Sequence, residues 1–183
     1  CRDCGARDVR AARDEAERQL LWKGRKSAFG AYGHISPAYM VMDGVIPRTR
    51  LPEVLRRVNE IAASYGLRVG NVFHAGDGNL HPNILYDPRV PGEEARVVAA
   101  GGEILKVCAD VGGSISGEHG IGLEKADYMS LIFTEADLDY MRRLRDAFNP
   151  RNLCNPGKIF PSRKACGESG PAYRPHPIEE KGL

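Results

Sequence analysis

Cysteine is scarce in this chain of 183 residues, and its few positions build no framework. There are five, at 1, 4, 108, 154 and 166, an odd number. Cys1 and Cys4 make one Cys-x-x-Cys, but no second pair follows, which excludes a zinc ribbon and a disulfide scaffold. Cys108 falls on the apolar stripe of an expected helix and reads as a core thiol. The set suits a reducing cytoplasm. No apolar run is long enough to span a bilayer and there is no signal-peptide pattern, so attachment to a membrane's inner face would have to pass through partners. An excess of one charge is also missing. The net charge is +2, and no basic block carries interleaved aromatics, which argues against nucleic acid as a partner. No internal repeat is present. What remains is ordinary globular composition, 42% hydrophobic and 27% charged, enough for one domain with a core.

The most informative stretch is Asn71-Val-Phe-His-Ala-Gly-Asp-Gly-Asn-Leu-His-Pro-Asn83. Asp77-Gly78 is a two-residue hairpin signal, because both central residues of a type I′ turn need φ > 0. A hairpin centred there sets His74 directly opposite His81, close enough for two imidazoles to share one metal ion. Phe73, Ala75, Leu80, Pro82 and Ile84 then share an apolar face that reads as core. Val72, His74, His81 and Asn83 share the other. A histidine pair on a strand also serves purely structural ends, and a longer turn would shift the register.

Residues 112–122, Gly-Gly-Ser-Ile-Ser-Gly-Glu-His-Gly-Ile-Gly, hold five glycines in eleven positions. Such a loop lets backbone approach a ligand closely, although it also serves as plain connection. Glu118 offers an oxygen ligand to a site with two histidines, a donor set that suits a catalytic divalent ion with an open position. His119 stands beside it as a base able to accept a proton near neutrality.

The coarse architecture is α+β. A short strand is expected over 7–12. Asp14 with Glu17 forms a capping box that starts a helix to about Phe29. Residues 38–44 read as a strand. Pro52 opens a helix with Val54, Leu55, Val58, Ile61, Ala62 and Tyr65 on one side, and Gly66 ends it. The hairpin runs from about 68 to 86. Residues 92–111 form a helix with Val97, Val98, Gly101, Ile104, Leu105, Cys108 and Val111 as its stripe. Thr134 with Asp137 caps a last helix to Phe148, before Pro150. The strands make an antiparallel sheet with helices on one face. Residues 162–183 are polar and read as a mobile tail.

Three motifs in order, His-Ala-Gly-Asp-Gly-Asn-Leu-His-Pro (74–82), Ser-Gly-Glu-His-Gly-Ile-Gly (116–122) and Asn-Pro-Gly-Lys (155–158), resemble the C-terminal part of FAD-linked oxidases of the vanillyl-alcohol-oxidase type. Leu21-Trp-Lys-Gly-Arg-Lys26, Ile35-Ser-Pro37 and Met42-Asp-Gly-Val-Ile-Pro47 add to the likeness. It covers roughly residues 6–161 and points to the glycolate oxidase branch, with its D-lactate and D-2-hydroxyglutarate dehydrogenase relatives. The resemblance implies a ferredoxin-like cap domain over 1–161, whose histidine face looks toward an FAD-binding domain absent from this chain. It implies metal ligands at His74, His81 and Glu118, with Zn²⁺ or Mn²⁺ as the ion. His119 would be the proton acceptor, Arg25 and Asn83 would contact substrate, and Asn155 and Lys158 would contribute to the flavin environment. A lysine of the D-2-hydroxyglutarate enzymes falls near Val41 here, which points to a small 2-hydroxy acid such as glycolate or D-lactate. A second flavin-domain subunit and an iron–sulfur subunit are the implied partners. Without the flavin domain, the isolated chain is expected to be inactive. Two other classes stay open: a non-catalytic module that binds a partner, and a zinc hydrolase, for which no His-Glu-x-x-His motif is present.

Overall fold

The computed structural model describes residues 2–161. Helices α1 (Glu15–Lys26) and α2 (Ala28–Tyr32) precede strands β1 (Ala38–Val41) and β2 (Gly44–Val45). Helix α3 (Leu51–Ser64), the hairpin β3 (Arg68–His74) and β4 (Asn79–Tyr86), then α4 (Glu93–Asp110) and α5 (Glu135–Phe148) complete the order. The chain is thus α+β with a four-stranded antiparallel sheet. β4 is its spine, paired with β3 on one edge and with β1 and β2 on the other.

The strand expected over 38–44 is present but interrupted. Val41 lies opposite Asn83 and Gly44 opposite Leu80, so one register runs through both pieces. That register sets Met42 against Pro82 and Asp43 against His81. Met42 N–H donates to Pro82 O at 3.0 Å. The return bond cannot form, because proline has no N–H. The missing ladder bond divides the strand at Met42–Asp43.

The hairpin lies where its sequence places it, with a different register. His74 pairs with Asn79 and His81 with Val72, so the two histidines are diagonal rather than directly opposed. The cause is the turn. Four residues, 75–78, connect the strands, and both Asp77 N–H and Gly78 N–H donate to His74 O, at 3.0 and 3.1 Å. Gly78 is left-handed at φ +75, and Asp77 is not. This is the longer hairpin connection built around a single turn, not type I′. Because the slip is two residues, an even number, every side chain on the strands keeps its face. Ala75, expected in the core, sits exposed in the turn.

The apolar face is covered as expected. Leu80 and Ile84 join Val54, Val58 and Ile61 of α3 and Val97, Ile104 and Leu105 of α4 in one core. Each such side chain contributes roughly 1.5–3 kcal/mol by leaving water. Pro52 lies in the first turn of α3, and Gly66 at φ +68 follows its end. Val98 departs from the expected stripe of α4 and is exposed, while Ala100 and Val107 are buried in its place. Thr134 and Asp137 form a complete capping box at α5.

Four expectations fail at the N-terminal side and around the sheet. Residues 7–12 form no strand; they are exposed, and Arg10 turns back to Glu17. The box at α1 is half made: Asp14 accepts from Glu17 N–H at 2.8 Å, but Glu17 accepts from Arg13 N–H instead of closing on Asp14. α1 stops at Lys26 rather than near Phe29, and the short α2 follows after Ser27. Finally, helices do not keep to one face. The Tyr32 ring of α2 covers Gly70 on the histidine side so closely that a side chain there would have to displace it. The proposed tail, 162–183, lies outside the described residues.

Gly78 carries two constraints at once. Its φ is left-handed, and a Cβ there would stand 2.1 Å from the carbonyl oxygen of Ile46. Gly78→Ala is expected to lower stability by about 1–3 kcal/mol or more. An unchanged urea midpoint for this variant would show that the turn is not fixed as described.

Candidate metal centre

The site grows from the row across the sheet at His81. Asp43, in the gap between β1 and β2, faces His81, with His81 Nδ1 3.9 Å from Asp43 Oδ1. His81 is 4% exposed and Asp43 0%. A buried carboxylate needs partners, and Asp43 has many. Its Oδ2 accepts from the N–H groups of Gly117, Glu118 and His119 at 2.9, 3.1 and 2.9 Å, and from Ser116 Oγ at 2.9 Å. Lys125, itself buried, donates from Nζ to Asp43 O at 2.7 Å and lies 3.4 Å from Oδ2. Burial works against the charge on Asp43. The His119 amide, the Ser116 hydroxyl, the Gly117 amide and Lys125 outweigh it, and its pKa falls well below the usual carboxylate range. Lys125 is lowered, chiefly by burial, with Asp43 opposing.

These bonds set the glycine-rich loop. Ser114 exchanges both backbone bonds with Val45, at 2.9 and 2.8 Å, which seats the loop on the sheet edge. Gly117 then passes so near Asn79 Oδ1 and Val45 Cγ2 that a Cβ would stand 2.6 and 2.8 Å away. Glycine is required there by closeness rather than by φ. Glu118 and His119 follow directly and reach over His81.

The result is a convergence on one oxygen. Glu118 Oε1 lies 2.8 Å from His81 Nε2, 3.8 Å from His74 Nε2 and 3.9 Å from His119 Nε2. The His119 ring stacks on His81 at 5.0 Å between centroids and 12° between planes, and the His74 ring meets it edge-on at 5.5 Å. Donor atoms of Asp43, His81, Glu118 and His119 lie within 4.8 Å of one another. His74 stands at the rim, half exposed. The pKa of His81 is lowered, chiefly by burial and then by His119, against the pull of Asp43 and Glu118. A neutral imidazole is the form that binds a metal. Two imidazoles and two carboxylates in this group, with His74 outside it, are donors of the kind that suit a divalent ion such as Zn²⁺ or Mn²⁺. Three further atoms near this face, Asn79 Oδ1, His81 Nδ1 and Asn83 Oδ1, are buried with no hydrogen-bond partner among the described residues.

Of the remaining residues singled out in the sequence, Arg25, Asn155 and Lys158 are not tied to this cluster by any hydrogen bond or ion pair among the described residues, whereas Asn83 is bonded to the His81 backbone. Asn83 is adjacent, on the same face, and fully buried. Its Nδ2 donates to His81 O at 2.7 Å and to Gly70 O at 3.3 Å, which leaves Oδ1 free. Arg25, in the last turn of α1, is half-buried, and its charge bears on Tyr32, whose pKa burial raises and Arg25 holds back. Asn155 and Lys158 are exposed in a separate turn. Arg145 builds it, donating to the carbonyls of Cys154, Asn155 and Lys158 at 2.7, 2.7 and 2.8 Å. Ile159 N–H then bonds Gly122 O at 2.8 Å, which links this turn to the end of the glycine-rich loop.

Sequence reasoning missed Asp43, Lys125 and Ser116. The signal for Asp43 was a single acid inside the apolar run Ala38–Ile46, where a carboxylate must find partners. Those partners come from residues more than seventy positions away, so the run itself does not reveal them.

Because the folded pKa of Asp43 is depressed, its contribution to stability is present above the usual carboxylate range, about pH 4, and is lost as pH falls through and below that range. Asp43→Asn has nothing to protonate there. It is expected to be less stable at neutral pH by about 3 kcal/mol, since Lys125 is left buried without its counter-charge. It should also lose less on acidification. Thermal midpoints from pH 7 to 3 check this, and equal acid slopes for the two proteins would refute it.

Residues 1–159 match the C-terminal domain of FAD linked oxidases. The chain is 52% identical over 172 residues to the glycolate oxidase subunit GlcD of Escherichia coli, covering 94% of this chain and 34% of that protein. The Bacillus subtilis protein of the same name is 38% identical over 160 residues, with 87% of this chain and 34% of that one covered. A D-lactate dehydrogenase of Archaeoglobus fulgidus is 35% identical over 156 residues, with 85% and 34% covered. The chain thus spans about a third of the length of the curated relatives it matches.

Proposed function

The chain belongs to the family of FAD-linked oxidase C-terminal domains, and we propose that it is the metal- and substrate-binding part of a flavin-dependent 2-hydroxy-acid dehydrogenase acting on glycolate or D-lactate. The observation that carries this reading is the convergence of three imidazoles on Glu118 Oε1. His74, His81 and Glu118 hold the ion. When bound, the ion supplies Lewis acidity toward a 2-hydroxyl and FAD supplies the hydride acceptor.

The chain's own residues do the rest. His119, stacked over His81, accepts the hydroxyl proton at Nε2. Asn83 has spent its Nδ2 on two carbonyls, so its free Oδ1 is suited to accept from the substrate hydroxyl. Arg25 receives the carboxylate in a two-pronged contact that lysine could not reproduce. Val41 supports a small substrate. It lies on the histidine face, opposite Asn83, and offers no charge to a second carboxylate. Asn155 and Lys158, in their Arg145-built turn, contribute to the flavin environment.

The fold is read as a ferredoxin-like cap whose last strand is reduced to the Val45–Ser114 bridge. Leu20, Leu21 and Trp22 are exposed on α1, the helix that carries Arg25, which supports a flavin-binding domain packing on this side. The expected partners are a second flavin-domain subunit and an iron–sulfur subunit, in the cytoplasm or at the inner face of the membrane. No helix among the described residues is long and apolar enough to cross a membrane.

Metal analysis of the purified chain tests the reading. About one equivalent of a divalent ion is expected, with His81→Ala and Glu118→Ala each lowering affinity by tenfold or more. An ion held equally well by both variants, or by none of the three proteins, would remove the basis of this assignment.

A further inference from the structure

Tyr32 stands outside every role assigned above, yet the two residues read as contacting substrate meet beside it. The row of the sheet next to His81 holds Val41, Asn83 and Gly70. Two residues along β4 separate Asn83 from His81, about 7 Å. Tyr32 lies over the Gly70 end of that row. A Cβ on Gly70 would stand 2.6 Å from Tyr32 Cζ and nearer still to the hydroxyl oxygen. Phe29 and Tyr39 pack against the ring, with centroids 6.3 and 5.8 Å away. Such packing fixes the ring and makes no use of its hydroxyl.

Two polar groups address that hydroxyl. Burial raises the Tyr32 pKa, while the charge of Arg25 and a hydrogen bond from Asn83 oppose it. A bond that favours the phenolate is one that its oxygen accepts, so the phenol proton is not spent on it. The geometry of Asn83 agrees. Its Nδ2 donates to His81 O at 2.7 Å, which fixes the nitrogen end of the amide. The other amide hydrogen is shared between Gly70 O, at 3.3 Å, and the phenol oxygen over Gly70. Asn83 Oδ1 has no partner among the described residues, so it does not take the phenol proton either.

We propose that Tyr32 is a further substrate-binding residue, its phenol O–H donating to the carboxylate that Arg25 receives. This deepens the function proposed above and rests on it. A carboxylate has two oxygens and about four lone pairs. A two-pronged contact with Arg25 takes one on each oxygen and leaves room for a neutral donor. In a 2-hydroxy acid the hydroxyl and the carboxylate sit on adjacent carbons. One row step of the sheet therefore holds both, the hydroxyl toward His81 and the carboxylate toward Tyr32. Glycine at 70 lets the ring lie low enough to reach them.

Tyr32→Phe keeps the ring and removes only the donor. Glycolate titrated into the Zn²⁺-loaded chain is expected to bind about 10-fold or more weakly in the variant, as for a lost hydrogen bond to a charged group. Equal affinities overturn the proposal, and so does a wild type that holds Zn²⁺ but takes up no glycolate. A second readout separates a donor from a wall. In protein carrying ¹³Cζ-labelled tyrosine, the Tyr32 signal is the one missing from Tyr32→Phe, and it reports on bonding at the phenol oxygen. Saturating glycolate should shift it; an unmoved signal overturns the proposal even if affinity falls. If the chain binds no Zn²⁺, the metal reading fails on its own. Glycolate titrated into the metal-free chain and read at Tyr32 Cζ then decides, a shift supporting the proposal and its absence overturning it.

Discussion

The buried charge at Asp43 is the constraint from which the rest of the site follows. Removing a carboxylate from water costs several kcal/mol unless opposite charge and hydrogen bonds replace the lost hydration. Here the replacement is drawn from Ser116, three consecutive amides and Lys125. A glycine-rich segment has high conformational entropy and no reason to adopt one shape unaided. Gathering its amides on one oxygen supplies that reason. The loop is ordered because Asp43 needs donors, and Glu118 and His119 are aimed because the loop is ordered.

Asp43 sits beside a defect in the sheet made by Pro82. A proline in a central strand removes a ladder bond, which ordinarily argues against the position. In this sheet the defect falls opposite Met42, between β1 and β2. The next residue along, Asp43, keeps its place across from His81 while the pairing around it is incomplete. The same face then carries Asn79, His81 and Asn83, all buried, on a strand whose other face is the apolar core. β4 is thus a strand with one apolar side and one polar side, both buried.

The family assignment and the geometry bear on different scales. Membership in the FAD-linked oxidases concerns the whole protein, and relatives about three times as long show that the matched segment is one part of such proteins. The arrangement around Glu118 concerns only this segment. It brings donor atoms of Asp43, His81, Glu118 and His119 within 4.8 Å of one another, a group that could hold an ion.

Periodicity alone determined α3, α4, α5 and the existence of the hairpin, because apolar spacing and caps act over a few residues. The division of the hairpin into an apolar face and a histidine face was equally legible, since alternation fixes face whatever the turn, provided the slip is even. His81, Glu118 and His119 were legible as candidates from residue type and glycine context. What tertiary structure alone decided was who meets whom. The turn took four residues instead of two, so His81 lies across from Val72 and Asp43 rather than His74. α2 came to rest with its Tyr32 ring on the histidine face, against Gly70. Asp43, silent in the sequence as one acid in an apolar run, became the organiser of the loop. Its partners lie more than seventy residues away, and only the sheet edge that joins Val45 to Ser114 brings them together.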